Sequence, residues 1–164
     1  MLPIRLITQT LPNPIKDGKP LTNHSDVGWA YLHGLLKAGF TVRAIPSTGM
    51  AYGTLETGKW VKLKDAFMTD VLKDAKSFVN VVVGFGGDFE KFWTAGISNI
   101  AVTTCWPRLP NAQEIVSLDK YDYILAPFDS DVQALVRAGL GVKLVYPNVE
   151  QLTEFFGPLA GLTS

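Results

Sequence analysis

Apolar positions along this chain fall into short uninterrupted runs that alternate with stretches of helical period. The run Val81, Val82 and Val83 is β-branched and unbroken by polar residues. Continuous apolarity over so few positions predicts a strand buried on both faces, as in a parallel sheet. Gly84, Gly86 and Gly87 follow it, and Asp88 is placed to cap a helix running to about Trp93. Ile4–Gln9 and Thr41–Pro46 predict two earlier strands. Between them lie a polar loop, Thr10–Ser25, and a helix capped by Ser25 or Asp26 that ends at Gly39 as its C′ residue. Gly28, Leu32, Leu35 and Leu36 share one face of that helix at helical spacing.

The segment Ser47–Val61 has room for a short hairpin. Lys64–Lys76 reads as an amphipathic helix, with Leu63, Phe67, Val71 and Ala75 recurring every fourth residue. Asn99–Thr104 is a further apolar strand that runs into Cys105-Trp106-Pro107-Arg108. A helix over Asn111–Leu118, a strand over Tyr123–Ala126, a helix over Ser130–Ala138 and a strand over Val142–Tyr146 come next. Asn148 and Gln151 have capping-box spacing before a terminal helix that Gly157-Pro158 stops. Strands that alternate with helices predict parallel pairing through right-handed crossovers. The expected fold is a three-layer α/β domain over residues 1–164, with a mainly parallel sheet of about six or seven strands.

Composition narrows the classes. A hydrophobic share of 47% with 18% charged residues is that of a globular chain, and 164 residues fit one domain with a real core. Lysine plus arginine equals aspartate plus glutamate at 15 each, which gives no electrostatic footprint for nucleic acid or an anionic membrane. No apolar run is long enough to span a bilayer, and the first residues lack the pattern of a secretory signal. The expected location is cytoplasmic. One cysteine excludes an internal disulfide and a cysteine-rich zinc site. The P-loop, His-Glu-x-x-His and Gly-x-Ser-x-Gly patterns are absent, and the first strand–helix connection lacks G-x-G-x-x-G. No metal and no cofactor are expected.

Candidate chemistry gathers where strands end. Asp88 either takes a proton from an acceptor hydroxyl or simply caps its helix. His24 and Asp26 stand before a helix start, where an anion is favoured; the alternative is a solvated loop histidine beside a capping aspartate. Trp106 and Arg108 suit a sugar ring, a nucleobase or a phosphate, or else pack under a loop and face solvent. Asp129 and Ser130 open a helix at the same rim, as hydrogen-bonding groups or as caps. Cys105 has no identifiable catalytic partner and reads as a small hydrophobe.

Three stretches resemble the amino-terminal Rossmann-like domain of GT-B fold glycosyltransferases, family 4-like. His24-Ser25-Asp26-Val27-Gly28-Trp29, with Leu32, Leu35 and Ala38-Gly39-Phe40-Thr41-Val42, is similar to that family's first loop and helix. Val81 to Gly87 resembles its central strand and substrate-facing turn. Tyr121 to Ser130, then Gly141 to Val149, is similar to its last two strands and the Pro-Asn turn beyond them. The resemblance implies the acceptor-side half of a glycosyltransferase. Asp88 would be its candidate base, and Gly28, Gly86 and Gly87 would be ligand-facing positions. It also implies a sugar or nucleotide-sugar ligand. The donor domain of such enzymes has no counterpart before Ser164, so a partner chain or a second copy is expected to supply it. Val149 stands where that family commonly has glycine. The alternative is a non-catalytic module that binds a small molecule or a protein.

Overall fold

The fold is that of a computed structural model. It describes residues 2–8, 31, 34–35, 38–46, 54–56, 59–61, 77–84, 86–93, 96–103, 110–126, 129–140, 144–145 and 151–161. Among them the strands are β1 (Ile4–Thr8), β2 (Val42–Pro46), β3 (Thr54–Glu56), β4 (Lys59–Val61), β5 (Val79–Gly84), β6 (Ser98–Thr103), β7 (Tyr123–Leu125) and β8 (Leu144–Val145). The helices are α1 (Asp88–Lys91), α2 (Ala112–Asp119), α3 (Asp129–Arg137) and α4 (Leu152–Leu159). Tyr31, Gly34 and Leu35 are also helical. The Lys64–Lys76 helix expected from the sequence lies outside the described residues.

The main sheet runs in the order β2-β1-β5-β6-β7-β8, and every neighbouring pair is parallel. The α/β class with a parallel sheet is therefore as the alternation of elements predicts. β3 and β4 form a separate antiparallel hairpin, with Leu55 opposite Trp60.

Side chains leave the central strands alternately to two apolar clusters. Ile4, Leu6, Val79, Val81, Val83, Ile100, Val102 and Leu125 join Tyr31, Leu35, Phe40 and the α4 residues Leu152 and Phe156. Ile7, Val82, Ala101 and Ile124 join Phe89 of α1, Phe92 at its C-cap, Leu118 of α2, Leu135 of α3 and Tyr121, two residues before β7. Strand residues of period two feed both clusters, which explains why Val81–Val83 shows no polar position. Each such aliphatic or aromatic side chain contributes about 1.5–3 kcal/mol when fully buried.

Polar residues enter this interior at the amino end of the strands. Arg5, Asn80 and Asn99 are buried and lie in register across β1, β5 and β6. The Arg5 guanidinium stacks over the Phe78 ring at 4.1 Å, a desolvated cation–π contact. Asn99 Oδ1 accepts from the Gly96 N–H at 3.2 Å, and the Asn99 N–H donates to Asp122 Oδ2 at 2.8 Å. Gly96 must lack a side chain, because a Cβ there would overlap Asn80 Nδ2.

Helix ends depart from the sequence expectations in three places. Gly87, not Asp88, is the N-cap of α1, with no side-chain cap bond, and the helix stops at Lys91 rather than near Trp93. α4 has Gln151 as its N-cap, also without a side-chain cap bond, and Asn148, the other residue of the expected capping box, lies outside the described residues. Gly157 and Pro158 lie inside α4 rather than stopping it. Proline removes the bond to the carbonyl four residues back and its ring crowds that carbonyl, and the helix ends one residue beyond it, at Leu159. Chain reversal follows at Gly161, φ 78°, whose N–H donates to Pro158 O at 3.3 Å. Gly39 does end its helix as expected: φ is 95°, and the Phe40 N–H reaches Leu35 O at 3.1 Å in a six-to-one bond.

Candidate functional site

Strand order reverses between β1 and β5. The chain leaves β1 for β2 on one side, and leaves β5 for β6 on the other. Connections that part in this way open a crevice beyond the carboxyl ends of the two strands. Gly84 closes β5 at that rim, and Thr103 lies beside it in register at the end of β6.

The Asp88 side chain folds back against Gly84 at the end of β5. A Cβ on Gly84 would overlap Asp88 Oδ2 and come within 3.0 Å of Asp88 Cγ. Asp88, the first residue of α1, is half-buried in this position. Gly86 adopts φ 60°, a left-handed conformation that glycine accepts without strain. It faces Glu114 Oε2, which would lie 3.2 Å from a Cβ there. Gly87 is exposed, with open space around it.

Glu114 is buried and anchored by a capping box at the start of α2. Its backbone N–H donates to Asn111 Oδ1 at 2.9 Å, and its Oε1 accepts from the Asn111 N–H at 3.0 Å. Gln113 Nε2, one residue earlier, donates to both oxygens of Glu90 at 2.9 and 3.1 Å and ties α2 to α1. Below the turn, the Tyr121 hydroxyl donates to Phe89 O at 2.8 Å, with Phe89 and Trp93 packed edge-on against its ring. Burial, and after it the negative charge of Asp88, push that hydroxyl well above its ordinary value of 10.0. The charge of Asp88 is thus felt inside the core.

Thr103 is fully buried, and its Oγ1 has no hydrogen-bond partner. At the start of α3, beyond β7, Asp129 and Ser130 are exposed, whereas Asp131 is fully buried. Of the residues singled out from the sequence, Asp88, Gly86 and Gly87 thus share one turn, and Asp129 and Ser130 open a helix two strands away. His24, Asp26, Gly28, Trp106 and Arg108 lie outside the described residues.

Glu114, Thr103 and Asp131 escaped the sequence reading, although each left a signal. Asn111-x-x-Glu114 has capping-box spacing. Thr103 is the last polar residue of an apolar strand, where rim residues lie. Asp131 stands four residues before the buried Leu135, on the same helical face.

The arrangement can accept hydrogen bonds through its carboxylates and donate one through Thr103. Among the described residues no group of three or more histidine, cysteine, aspartate or glutamate side chains could hold a metal ion. No described helix is long and apolar enough to cross a membrane. Comparisons with protein-family models, curated proteins and solved structures return no match. The glycosyltransferase resemblance accordingly stands on its sequence motifs.

Proposed function

We propose that this chain is the acceptor-side half of a GT-B-like glycosyl-transfer system, with its sugar or nucleotide-sugar ligand on the rim around the β5 turn. The observation that carries the reading is the reversal of strand order between β1 and β5, with Gly84, Gly86, Gly87 and Asp88 at the crevice it opens. A three-layer Rossmann-like domain over residues 1–164 belongs to the same proposal. It is supported by apolar clusters fed from alternate strand residues.

In this reading Asp88 is the base. As the acceptor oxygen bonds to the anomeric carbon, the bond from that carbon to the nucleotide breaks and the acceptor proton passes to the Asp88 carboxylate. The donor is held by a second Rossmann-like domain, in a partner chain or a second copy. The test is transfer from nucleotide sugars to a glycan panel, with the chain alone and together with a donor-binding domain, and products read by mass spectrometry. Transfer that requires the donor domain and is lost in Asp88→Asn is the expected result. Full transfer by Asp88→Asn would remove Asp88 as the base.

A second reading, a binding module without chemistry, is favoured by one feature. The Asp88 side chain lies against Gly84 of its own turn, a posture suited to shaping the rim. Glycan binding with no transfer in any combination would select this reading.

A further inference from the structure

We propose that Tyr121, buried in the core, is a positioning residue for the rim: its hydroxyl ends α1 and so fixes the β5 turn. What this does to a ligand rests on the rim being the ligand site; what it does to the turn does not. The α1 helix is a single turn of four residues, Asp88–Lys91, with Gly87 as its N-cap and no side-chain cap bond. A helix so short has no stability of its own in water, so tertiary contacts set where it starts and stops. Phe89 and Phe92 are buried and hold α1 against the sheet. Burial of that kind is non-directional and does not by itself choose the residue at which a helix ends.

The directional contact comes from Tyr121. In a longer helix the Trp93 N–H would donate to Phe89 O, four residues back. Here it goes to Glu90 O instead, at 3.4 Å, and the Tyr121 hydroxyl donates to Phe89 O at 2.8 Å. The phenol thus stands where the amide of the next helical residue would be, and α1 stops at Lys91 and not near Trp93. Phe89 and Trp93 pack edge-on against the Tyr121 ring, with centroids 5.7 and 5.1 Å away, and keep the hydroxyl aimed at that carbonyl. The bond is buried, where it is electrostatically stronger than in water. The other tie to α1, from Gln113 to Glu90, is exposed. Because the Lys91 N–H donates to Gly87 O at 3.0 Å, a change at the end of α1 is carried straight to the turn.

The experiment uses Tyr121→Phe, which keeps the ring and removes only the hydroxyl, beside Phe156→Leu, a core change on the other face of the sheet. Both are compared with the wild type at a temperature where all three are folded. Backbone resonances are read first, without ligand. In Tyr121→Phe the Gly86 and Gly87 signals are expected to move, and the Trp93 Cα shift to go toward helical values as its N–H turns to Phe89 O. In Phe156→Leu they stay. Methyl glucoside and uridine diphosphate glucose are then titrated and read at the Gly84 and Gly86 amides. Tyr121→Phe is expected to bind about three- to tenfold more weakly, and Phe156→Leu as the wild type does. Turn signals that coincide in Tyr121→Phe and the wild type overturn the proposal, with or without binding. Moved turn signals with unchanged affinity overturn its bearing on the ligand. Moved turn signals with neither probe binding the wild type at the rim support Tyr121 as the residue that sets the turn and overturn the rim as the ligand site.

Discussion

Gly84 and Asp88 compete for one volume: a Cβ on Gly84 would overlap Asp88 Oδ2 and lie 2.9 Å from Asp88 Cβ. The absence of a side chain at position 84 is what lets the carboxylate of the following helix reach back over the strand end. Gly84→Ala should therefore cost about 1–3 kcal/mol, the usual scale for overpacking a tight site. In Asp88→Ala the carboxylate is gone and only its Cβ remains near, so the same substitution should cost less. Urea unfolding of both single variants and the double variant checks this, with a coupling of about 0.5 kcal/mol or more expected.

Asn111 and Glu114 hold each other at the start of α2. Asn111→Ala should lower stability by about 1 kcal/mol, whereas Asn111→Asp, also a good cap, should change it little. Because Glu114 faces Gly86, the alanine variant should also shift the Gly86 amide resonance, and the aspartate variant should shift it less.

Alkaline pH acts through two tyrosines. Burial, and then the Asp88 charge, raise Tyr121; burial raises Tyr31. A raised value means that the fold holds the neutral phenol. The stability this contributes is complete below about pH 10, the unfolded value, and falls as pH climbs above it. Each group adds a slope of about 1.4 kcal/mol per pH unit. Tyr121→Phe should lose about 0.5–1.5 kcal/mol at neutral pH with its bond to Phe89 O. Its alkaline slope, followed by unfolding between neutral pH and pH 11, should be shallower by one such group.

The parallel sheet was legible because short apolar runs alternate with helix-period stretches, and a central parallel strand buries Val81–Val83 on both sides. Helix starts were less legible. Aspartate after a glycine turn reads as a cap, yet Gly87 takes the cap position and frees the Asp88 side chain to fold onto Gly84. That choice depends on a contact between residues in two elements, which local preference does not encode. The burial of Arg5 was likewise hidden, since its cover is Phe78, brought alongside only when β1 pairs with β5. At the site, Asp88, Gly86 and Gly87 could be found from the glycine turn alone. Glu114 and Thr103 join them from α2 and β6, and only the sheet order brings those elements to the same rim.

The central claim is that a sugar or nucleotide ligand binds at the carboxyl-end rim where the strand order reverses. Amide and methyl chemical-shift mapping tests it most directly, using wild-type protein titrated with glycans, nucleosides and nucleotide sugars. The account predicts that Gly84, Gly86, Gly87 and Thr103 shift in a saturable way, that Asn80, Asn99 and Asp122 at the amino end stay still, and that Thr103→Val weakens the binding. Saturable shifts confined to the amino-end residues, or none at either end, would contradict it.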